Sequence, residues 1–205
     1  MSGNREQDKI QRRSSLVFLW IVLAFLSAPP RAIADGPERI ENVKVETLRE
    51  KILISARLNE GFRPKIVREI NNGIQKEFFY YILVKRKETN WIFDEEILSK
   101  SLLYTVKFDT LKKKYKVVFS DGEKVIEKTF DDFEAMKEMV MQVNRVELPL
   151  TDIKKSPDRY YVSVKVQMKA AKLPLYLDYF LFFIPFLEID TPWSDSEIIS
   201  FQGGK

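Results

Sequence analysis

Residues 158–169 read DRYYVSVKVQMK, and this stretch decides the fold class. Apolar side chains occupy every second position from Tyr160 to Met168, and most positions between them are polar. A period of two places successive side chains on opposite faces of a β-strand, whereas a helix needs apolar side chains every three or four residues. The stretch therefore predicts a long strand with one buried face.

Several other stretches have the composition of strands. KEFFYYILVKRK (76–87) is apolar at consecutive positions and therefore predicts a central strand that is covered on both faces. An Asp-Gly pair at residues 121–122 is typical of a tight hairpin turn. The predicted strands before residue 158 are NVKVETL (42–48), KILISARL (51–58), KEFFYYILVKRK (76–87), SLLYTVKFDTL (101–111), KYKVVF (114–119), KVIEKTF (124–130) and RVELPL (145–150).

Two stretches have the spacing of short amphipathic helices. Residues 64–72 repeat apolar side chains at helical spacing, with proline at the start and glycine just after the end. Residues 133–144 repeat the pattern after Thr129 and Asp132, which are spaced as a capping box. The sequence therefore predicts an α+β fold, with one curved antiparallel β-sheet and two amphipathic helices packed on one face.

The composition excludes several kinds of chemistry. The chain contains no cysteine and no histidine, which excludes thiolate and imidazole metal ligands, cysteine nucleophiles and Ser-His-Asp triads. The acidic clusters 94–96 and 131–134 could pair carboxylates for acid–base catalysis. Local roles explain both clusters better, because the first follows a predicted turn and would begin a helical turn, and the second lies at a predicted helix start. We predict no enzymatic activity, no metal and no cofactor.

Residues 1–34 have the pattern of a secretory signal peptide. Basic residues precede the uninterrupted apolar run 16–26, and a small-x-small site ends at Ala34. The run is shorter than the roughly 20 residues of a spanning helix, which favours cleavage over an uncleaved anchor. We therefore expect an exported protein of the periplasm or envelope with one domain over residues 35–205. If the signal is not cleaved, the protein is anchored in the inner membrane.

The charge balance indicates the kind of partner. Residues 1–34 hold five of the 34 basic and two of the 30 acidic residues, so the remainder has 29 basic and 28 acidic residues and a net charge of +1. A nucleic-acid-binding domain normally has a basic excess, so we expect no nucleic acid and instead an envelope protein or a membrane surface. The basic runs 85–87 and 112–114 could together contact anionic lipid head groups, although solvated turns are the simpler explanation.

LPLYLDYFLFFIPFLEIDTPW (173–193) is the most apolar stretch outside the N-terminus. Pro174 and Pro185 interrupt any helix, and charged residues bracket a short uncharged run, so a membrane span is not predicted. Two interpretations remain open, because the stretch could cross the sheet and become buried, or form an exposed loop that contacts a partner or a membrane. In the second case the interaction surface consists of Tyr176, Tyr179, Phe180, Phe182, Phe183, Phe186 and Trp193.

Short motifs between Glu41 and Trp193 resemble a known family. They include ARLNEGF (56–62), INNGI (70–74), KRK (85–87) followed by WIFD (91–94), KLP (172–174) and DTPW (190–193). With these motifs the chain resembles the bacterial domain of unknown function 4390 family of exported proteins. The resemblance implies a secreted or periplasmic protein without an assigned activity. Related sequences have a frequent genomic association with membrane sensor kinases of the nitrogen-regulation type. The resemblance supplies no catalytic residues.

Three functions follow as hypotheses. The first is a non-enzymatic interaction or accessory module of the cell envelope, associated with a membrane sensor kinase. The alternative is a carrier of a lipid or another apolar ligand, held between the sheet and the two helices. A carboxylate-dependent hydrolase of envelope glycan is the least favoured. The sequence leaves the oligomeric state open.

Overall fold

A computed structural model describes residues 38–48, 50–88, 93–150, 159–169 and 187–200. The predicted signal peptide, residues 1–34, lies outside the described residues, and so does most of the apolar stretch 173–193. Signal cleavage and the single domain over 35–205 therefore stay predictions.

The described residues confirm the α+β class, because mostly antiparallel strands are accompanied by two helices. The long strand predicted at residues 158–169 is confirmed as Arg159–Lys169. In chain order the elements are β1 (Arg39–Leu48), β2 (Lys51–Asn59), α1 (Pro64–Asn71), β3 (Lys76–Arg86), β4 (Glu95–Asp109), β5 (Lys114–Ser120), β6 (Val125–Phe130), α2 (Phe133–Met141), β7 (Gln142–Pro149), β8 (Arg159–Lys169), β9 (Leu187–Asp190), β10 (Ser194–Asp195) and β11 (Ile199–Ser200).

The strands form two sheets, where the sequence predicted one. The smaller sheet has the order β1-β2-β7, and the larger has the order β10-β8-β3-β4-β5-β6, with β9 and β11 also paired to β8. Strand β7 completes the smaller sheet because Leu148 and Val146 pair with Ile52 and Ile54 of β2. Alternation of apolar residues identifies the buried face of a strand but does not identify its pairing partner.

One continuous core joins the two sheets. Buried side chains of β2, β3 and β8 belong to the same hydrophobic cluster, together with residues from both helices. Tyr80 at its centre is fully buried and donates its hydroxyl to the Val140 carbonyl of α2 over 2.5 Å. That hydrogen bond satisfies the one polar atom of the Tyr80 side chain, which is a condition for burying it.

The two faces of β3 differ in burial. Phe78, Tyr80 and the residues that alternate with them are buried, whereas Phe79, Tyr81 and Leu83 on the other face are only half-buried. The expectation of two covered faces is therefore corrected, since the hydrophobic core of the described residues covers only one. We call the face with Phe79 and Tyr81 the outer face of the larger sheet.

Helix α1 begins and ends as the sequence predicted. Pro64 occupies its first turn, and Gly73 follows the end of the helix with a φ of 82°. That left-handed conformation suits glycine, which has no Cβ. Ile66 and Ile70 are buried and fix the apolar side of the helix against the core.

Helix α2 differs from its prediction at both ends. Asp132 is the N-cap and accepts a hydrogen bond from the Ala135 amide over 2.9 Å, while Thr129 belongs to strand β6. The helix ends at Met141 rather than near Asn144. The chain leaves the helix early because Gln142 already pairs with β2, so strand pairing prevails over the helical apolar pattern.

Candidate interaction surface

Residues 187–200 form an interrupted edge strand along β8. Strands β9, β10 and β11 all pair antiparallel with β8, in the order in which the chain runs. Asp190 pairs with Gln167 and Ser194 with Val164, so the edge strand has one more residue than β8 over this interval. Such an extra residue is a β-bulge, which bends and twists a sheet edge.

Two side-chain hydroxyls keep the edge strand bonded to β8 where its backbone pairing is interrupted. The Thr191 amide donates to the Val166 carbonyl over 3.0 Å, and the Thr191 hydroxyl accepts from the Val166 amide over 3.0 Å. Ser196 makes the same pair of bonds with Val162, over 2.8 and 3.0 Å. Because the hydroxyls accept where backbone carbonyls ordinarily would, the edge stays attached through the segment that contains Pro192. Thr191 is 1% exposed, so this part of the apolar stretch packs back on the domain.

Trp193 is the one predicted surface residue that the structure describes. Its side chain is 42% exposed, and the Lys85 ammonium lies 5.4 Å from its ring centroid and 5.9 Å from that of Tyr161. A cation near the face of an aromatic ring is attracted by the ring quadrupole. Lys85 therefore joins the half-exposed Trp193 to the outer face of the larger sheet.

A hydrogen-bonded pair borders this aromatic group. The Tyr161 hydroxyl donates to Asp94 Oδ2 over 2.6 Å, and the Glu88 amide donates to Asp94 Oδ1 over 3.1 Å. The bond from Tyr161 lowers the pKa of Asp94, while burial and that same bond raise the pKa of Tyr161. The predicted helical turn at residues 94–96 is wrong, because Glu95 begins strand β4. Asp94 instead fixes the start of β4 against β8.

The apolar segment leaves and rejoins the sheet at one point. Strand β8 ends at Lys169, β9 begins at Leu187, and these two residues pair with each other. The intervening residues 170–186 include Pro174 and Pro185 and lie outside the described residues. So do six of the predicted surface residues, namely Tyr176, Tyr179, Phe180, Phe182, Phe183 and Phe186.

A group of four charged residues adjoins this point. Lys76 of β3 is 2% exposed and contacts Glu69 of α1 as well as Glu188 of β9, the latter over 2.6 Å. Lys65 lies 3.8 Å from Glu69 and 3.5 Å from Glu188. The hydrogen bond that Glu69 accepts from Lys76 lowers the pKa of Glu69, although partial burial acts in the opposite direction. We call these residues the four-charge cluster, and it attaches the start of β9 to both α1 and β3.

Sequence reasoning missed the four-charge cluster. Lys76 has the same alternation as Phe78 and Tyr80, so its position in the pattern places it on the buried face. A lysine on a buried face requires acidic partners, and that requirement was the available signal. The partner Glu188 is 112 residues away in the chain, so no local pattern identifies it.

A row of half-buried apolar side chains lies on the outer face. Phe79, Tyr81 and Leu83 of β3 belong to it, and Leu103 of β4 pairs with Phe79. The Lys169 ammonium lies 4.5 Å from the centroid of the Phe79 ring. This row, which we call the outer stripe, extends from the point where residues 170–186 leave the sheet toward Lys85 and Trp193.

The two basic runs lie at opposite ends of the larger sheet. Arg86 pairs with Glu95 at the start of β4, whereas residues 112–114 follow the end of β4. Along β4, the 14 residue steps from Glu95, opposite Arg86, to Asp109, opposite Lys114, separate the runs by roughly 45 Å at the usual rise per residue of a strand. They therefore do not form the joint patch considered from the sequence.

The described residues contain few features of other site types. They hold no group of three or more acidic residues placed to bind a metal ion. In the same part of the chain, every helix is too short or too polar to cross a membrane. In the acidic cluster 131–134, Asp132 caps α2 and Asp131 lies 3.0 Å from Lys114, so both carboxylates have local partners.

Comparisons with known proteins bear on the family that the sequence motifs indicated. No curated protein matches the chain, and no solved structure matches it. The family described as Domain of unknown function (DUF4390) matches residues 37–197, which is most of the chain. The resemblance is therefore confirmed, and the chain belongs to this family.

Proposed function

We propose that the chain is a non-enzymatic interaction module of the cell envelope. Export through residues 1–34 places it in the periplasm or at the envelope, either free or anchored in the inner membrane. Its partner is an envelope protein, and the family resemblance makes a membrane sensor kinase the first class to test. The contact surface comprises the aromatic residues of 173–186, the outer stripe and Trp193.

One observation carries this proposal. Lys169 and Leu187 pair with each other, so the edge strand continues along β8 whatever lies between them. The described core already joins both sheets and both helices. An apolar segment that the sheet does not need for its continuity is better explained by a partner than by packing alone.

Loop replacement separates binding from folding. Replacing residues 171–185 by Asn-Gly leaves a short hairpin loop between Lys169 and Leu187, which antiparallel neighbours accommodate. We expect the shortened chain to melt cooperatively near the parent temperature and to lose its partner in pull-downs from envelope extracts. A shortened chain that fails to fold would show that the segment belongs to the core.

Point substitutions test the same surface without changing chain length. Phe182→Asp with Phe183→Asp should abolish partner binding and leave the circular dichroism melt unchanged. The matched control introduces two charges at exposed apolar positions elsewhere, Leu48→Asp with Val125→Asp, which are 54% and 72% exposed. If the phenylalanines are core residues, the double variant instead unfolds because it buries unpaired charges.

Export has an independent test. A protein recovered from the envelope should have the mass of a chain that begins at Asp35. An intact protein that begins at Met1 and is held in the inner membrane would show that residues 1–34 are an uncleaved anchor.

The carrier hypothesis is the second candidate. It requires the curved sheet with both helices on one face that the sequence predicted, with an apolar space between them. Among the described residues, apolar side chains of both sheets and both helices form one hydrophobic cluster. The surface groove beside the β4–β5 turn is lined mainly by polar and charged residues. Native mass spectrometry that reveals a co-purified lipid would favour the carrier, and a mass without ligand would count against it.

A further inference from the structure

A concave groove lies on the outer face of the larger sheet, beside the turn that joins β4 to β5. Its volume is about 780 Å³, and four lysines and two carboxylates line it, which gives the lining a formal charge of +2. Lys107 of β4 and Lys116 of β5 are directly opposite each other in the strand register. Lys112 lies in the turn, and Lys114 begins β5.

The acids near the groove are already engaged. Glu127 lies 2.7 Å from Lys116, and Asp131, outside the groove, lies 3.0 Å from Lys114. Asp109, the second carboxylate of the lining, accepts hydrogen bonds from two backbone amides of the turn, over 3.0 and 2.9 Å. Those bonds hold the turn and lower the pKa of Asp109, chiefly through the Lys112 amide.

Two lysines of the groove remain without an ion pair. Within the described part of the chain, no carboxylate lies at ion-pair distance from Lys107 or Lys112. Lys107 also faces Lys116 across the strand pair, and like charges in directly opposite positions destabilise a sheet. An anion bound between these side chains would relieve that repulsion.

An exposed leucine borders the same groove. Leu111 lies in the turn, contributes to the groove lining and is 93% exposed. It is followed directly by Lys112, Lys113 and Lys114. An apolar side chain flanked by lysines suits the boundary between head groups and acyl chains, where the leucine enters the apolar layer and the ammonium groups contact phosphates.

We propose that this groove binds the phosphate groups of anionic lipids at a membrane surface, with Leu111 entering the lipid layer. Lys107 and Lys112 lie near Asp109 but have no carboxylate at ion-pair distance among the described residues, so they supply the positive charge of the site. The volume of the groove accommodates a head group. The site is separate from the described part of the partner surface proposed above, because neither Trp193 nor the outer stripe belongs to its lining.

Vesicle binding by the full chain tests this site. The readout is the ratio of affinity for vesicles that contain phosphatidylglycerol to affinity for pure phosphatidylcholine vesicles. The N-terminal and C-terminal apolar segments are common to all variants, so their contribution cancels when variants are compared. We expect Lys107→Gln with Lys112→Gln to lower the ratio roughly thirty-fold, because each basic residue near an anionic surface contributes about a factor of five. Leu111→Ser should weaken binding to the anionic vesicles further.

The matched control removes two lysines elsewhere. Lys44→Gln with Lys87→Gln makes the same change of charge at exposed positions outside the groove, and it should preserve the ratio. A groove variant that keeps the parent ratio overturns the proposal. Soluble glycerol phosphate that binds the parent chain as tightly as the vesicles do would make the groove a site for free anions, and the lipid assignment would then be wrong.

Discussion

Lys76 and Lys107 are neighbours in the larger sheet, since Lys76 pairs with Val106, but they lie on opposite faces. Lys76 is buried and contacts two glutamates, whereas Lys107 is exposed and has no acid at ion-pair distance among the described residues. A buried ammonium group is tolerated only with its partners. An exposed one without partners remains available to a ligand, so the same residue type has a structural role on one face and a proposed binding role on the other.

Removal of the buried lysine should have the largest effect. Lys76→Ala leaves Glu69 and Glu188 without their central partner, and loss of one member of a buried ion pair typically costs about 3–5 kcal/mol of unfolding free energy. Urea denaturation measures this change, with the exposed Lys44→Ala as control. Adding Glu69→Gln and Glu188→Gln to Lys76→Ala should recover part of the loss. A loss below about 1 kcal/mol would contradict the structural role, since exposed pairs contribute that little.

A neutral buried contact should have a smaller effect than the buried charge. Thr191→Val keeps the shape of the side chain but leaves the Val166 amide without its acceptor, which costs about 1–3 kcal/mol. Thermal and urea denaturation should show the loss, and Thr47→Val on the exposed surface of β1 should not. An unchanged stability would mean that the edge strand does not depend on this hydroxyl.

Acid should weaken the four-charge cluster more modestly. The folded state lowers the pKa of Glu69 below its ordinary value of 4.5, so the stabilisation is fully present above that value and is lost as the pH falls through the lowered pKa. We expect Glu69→Gln to flatten the dependence of unfolding free energy on pH below 4.5. Glu123→Gln, at an exposed turn position, should keep the parent slope. If both variants show the same dependence of unfolding free energy on pH, Glu69 is not responsible for the loss of stability in acid.

The exposed lysine should have the smallest effect on stability. Lys107→Gln removes a like charge opposite Lys116, so we expect a gain within about 0.5 kcal/mol. Thermal melts at low salt, where surface repulsion is least screened, give the best resolution. A loss of unfolding free energy above about 1 kcal/mol would show that Lys107 has a structural partner. Lys107 and Lys76 would then both have structural roles.

Periodicity and local start and stop residues made the main elements predictable from the sequence. Strand β8 follows from its period of two, and α1 from Pro64, Gly73 and the apolar spacing between them. These features depend on residues that are close together in the chain, which is why a single sequence predicts them.

Features that depend on distant residues were not predictable. The pairing of β7 with β2 divides the strands into two sheets, and it joins residues about 90 positions apart, such as Ser55 and Arg145. The contact of Lys76 with Glu188 joins residues 112 positions apart, and the contact of Tyr161 with Asp94 joins residues 67 positions apart. The groove likewise combines β4, β5 and β6 with the end of α1, so its unpaired lysines become apparent only in three dimensions.

The pairing of Lys169 with Leu187 means that covalent continuity is not what attaches residues 187–200 to the sheet. Backbone bonds, the Thr191 and Ser196 hydroxyls and the contact of Glu188 with Lys76 do so. The final strand is therefore a candidate for complementation in trans, in which a chain truncated after Lys169 captures a synthetic peptide of residues 187–200. The two pieces would make this domain a split reporter, whose reassembly signals that two fused proteins have met.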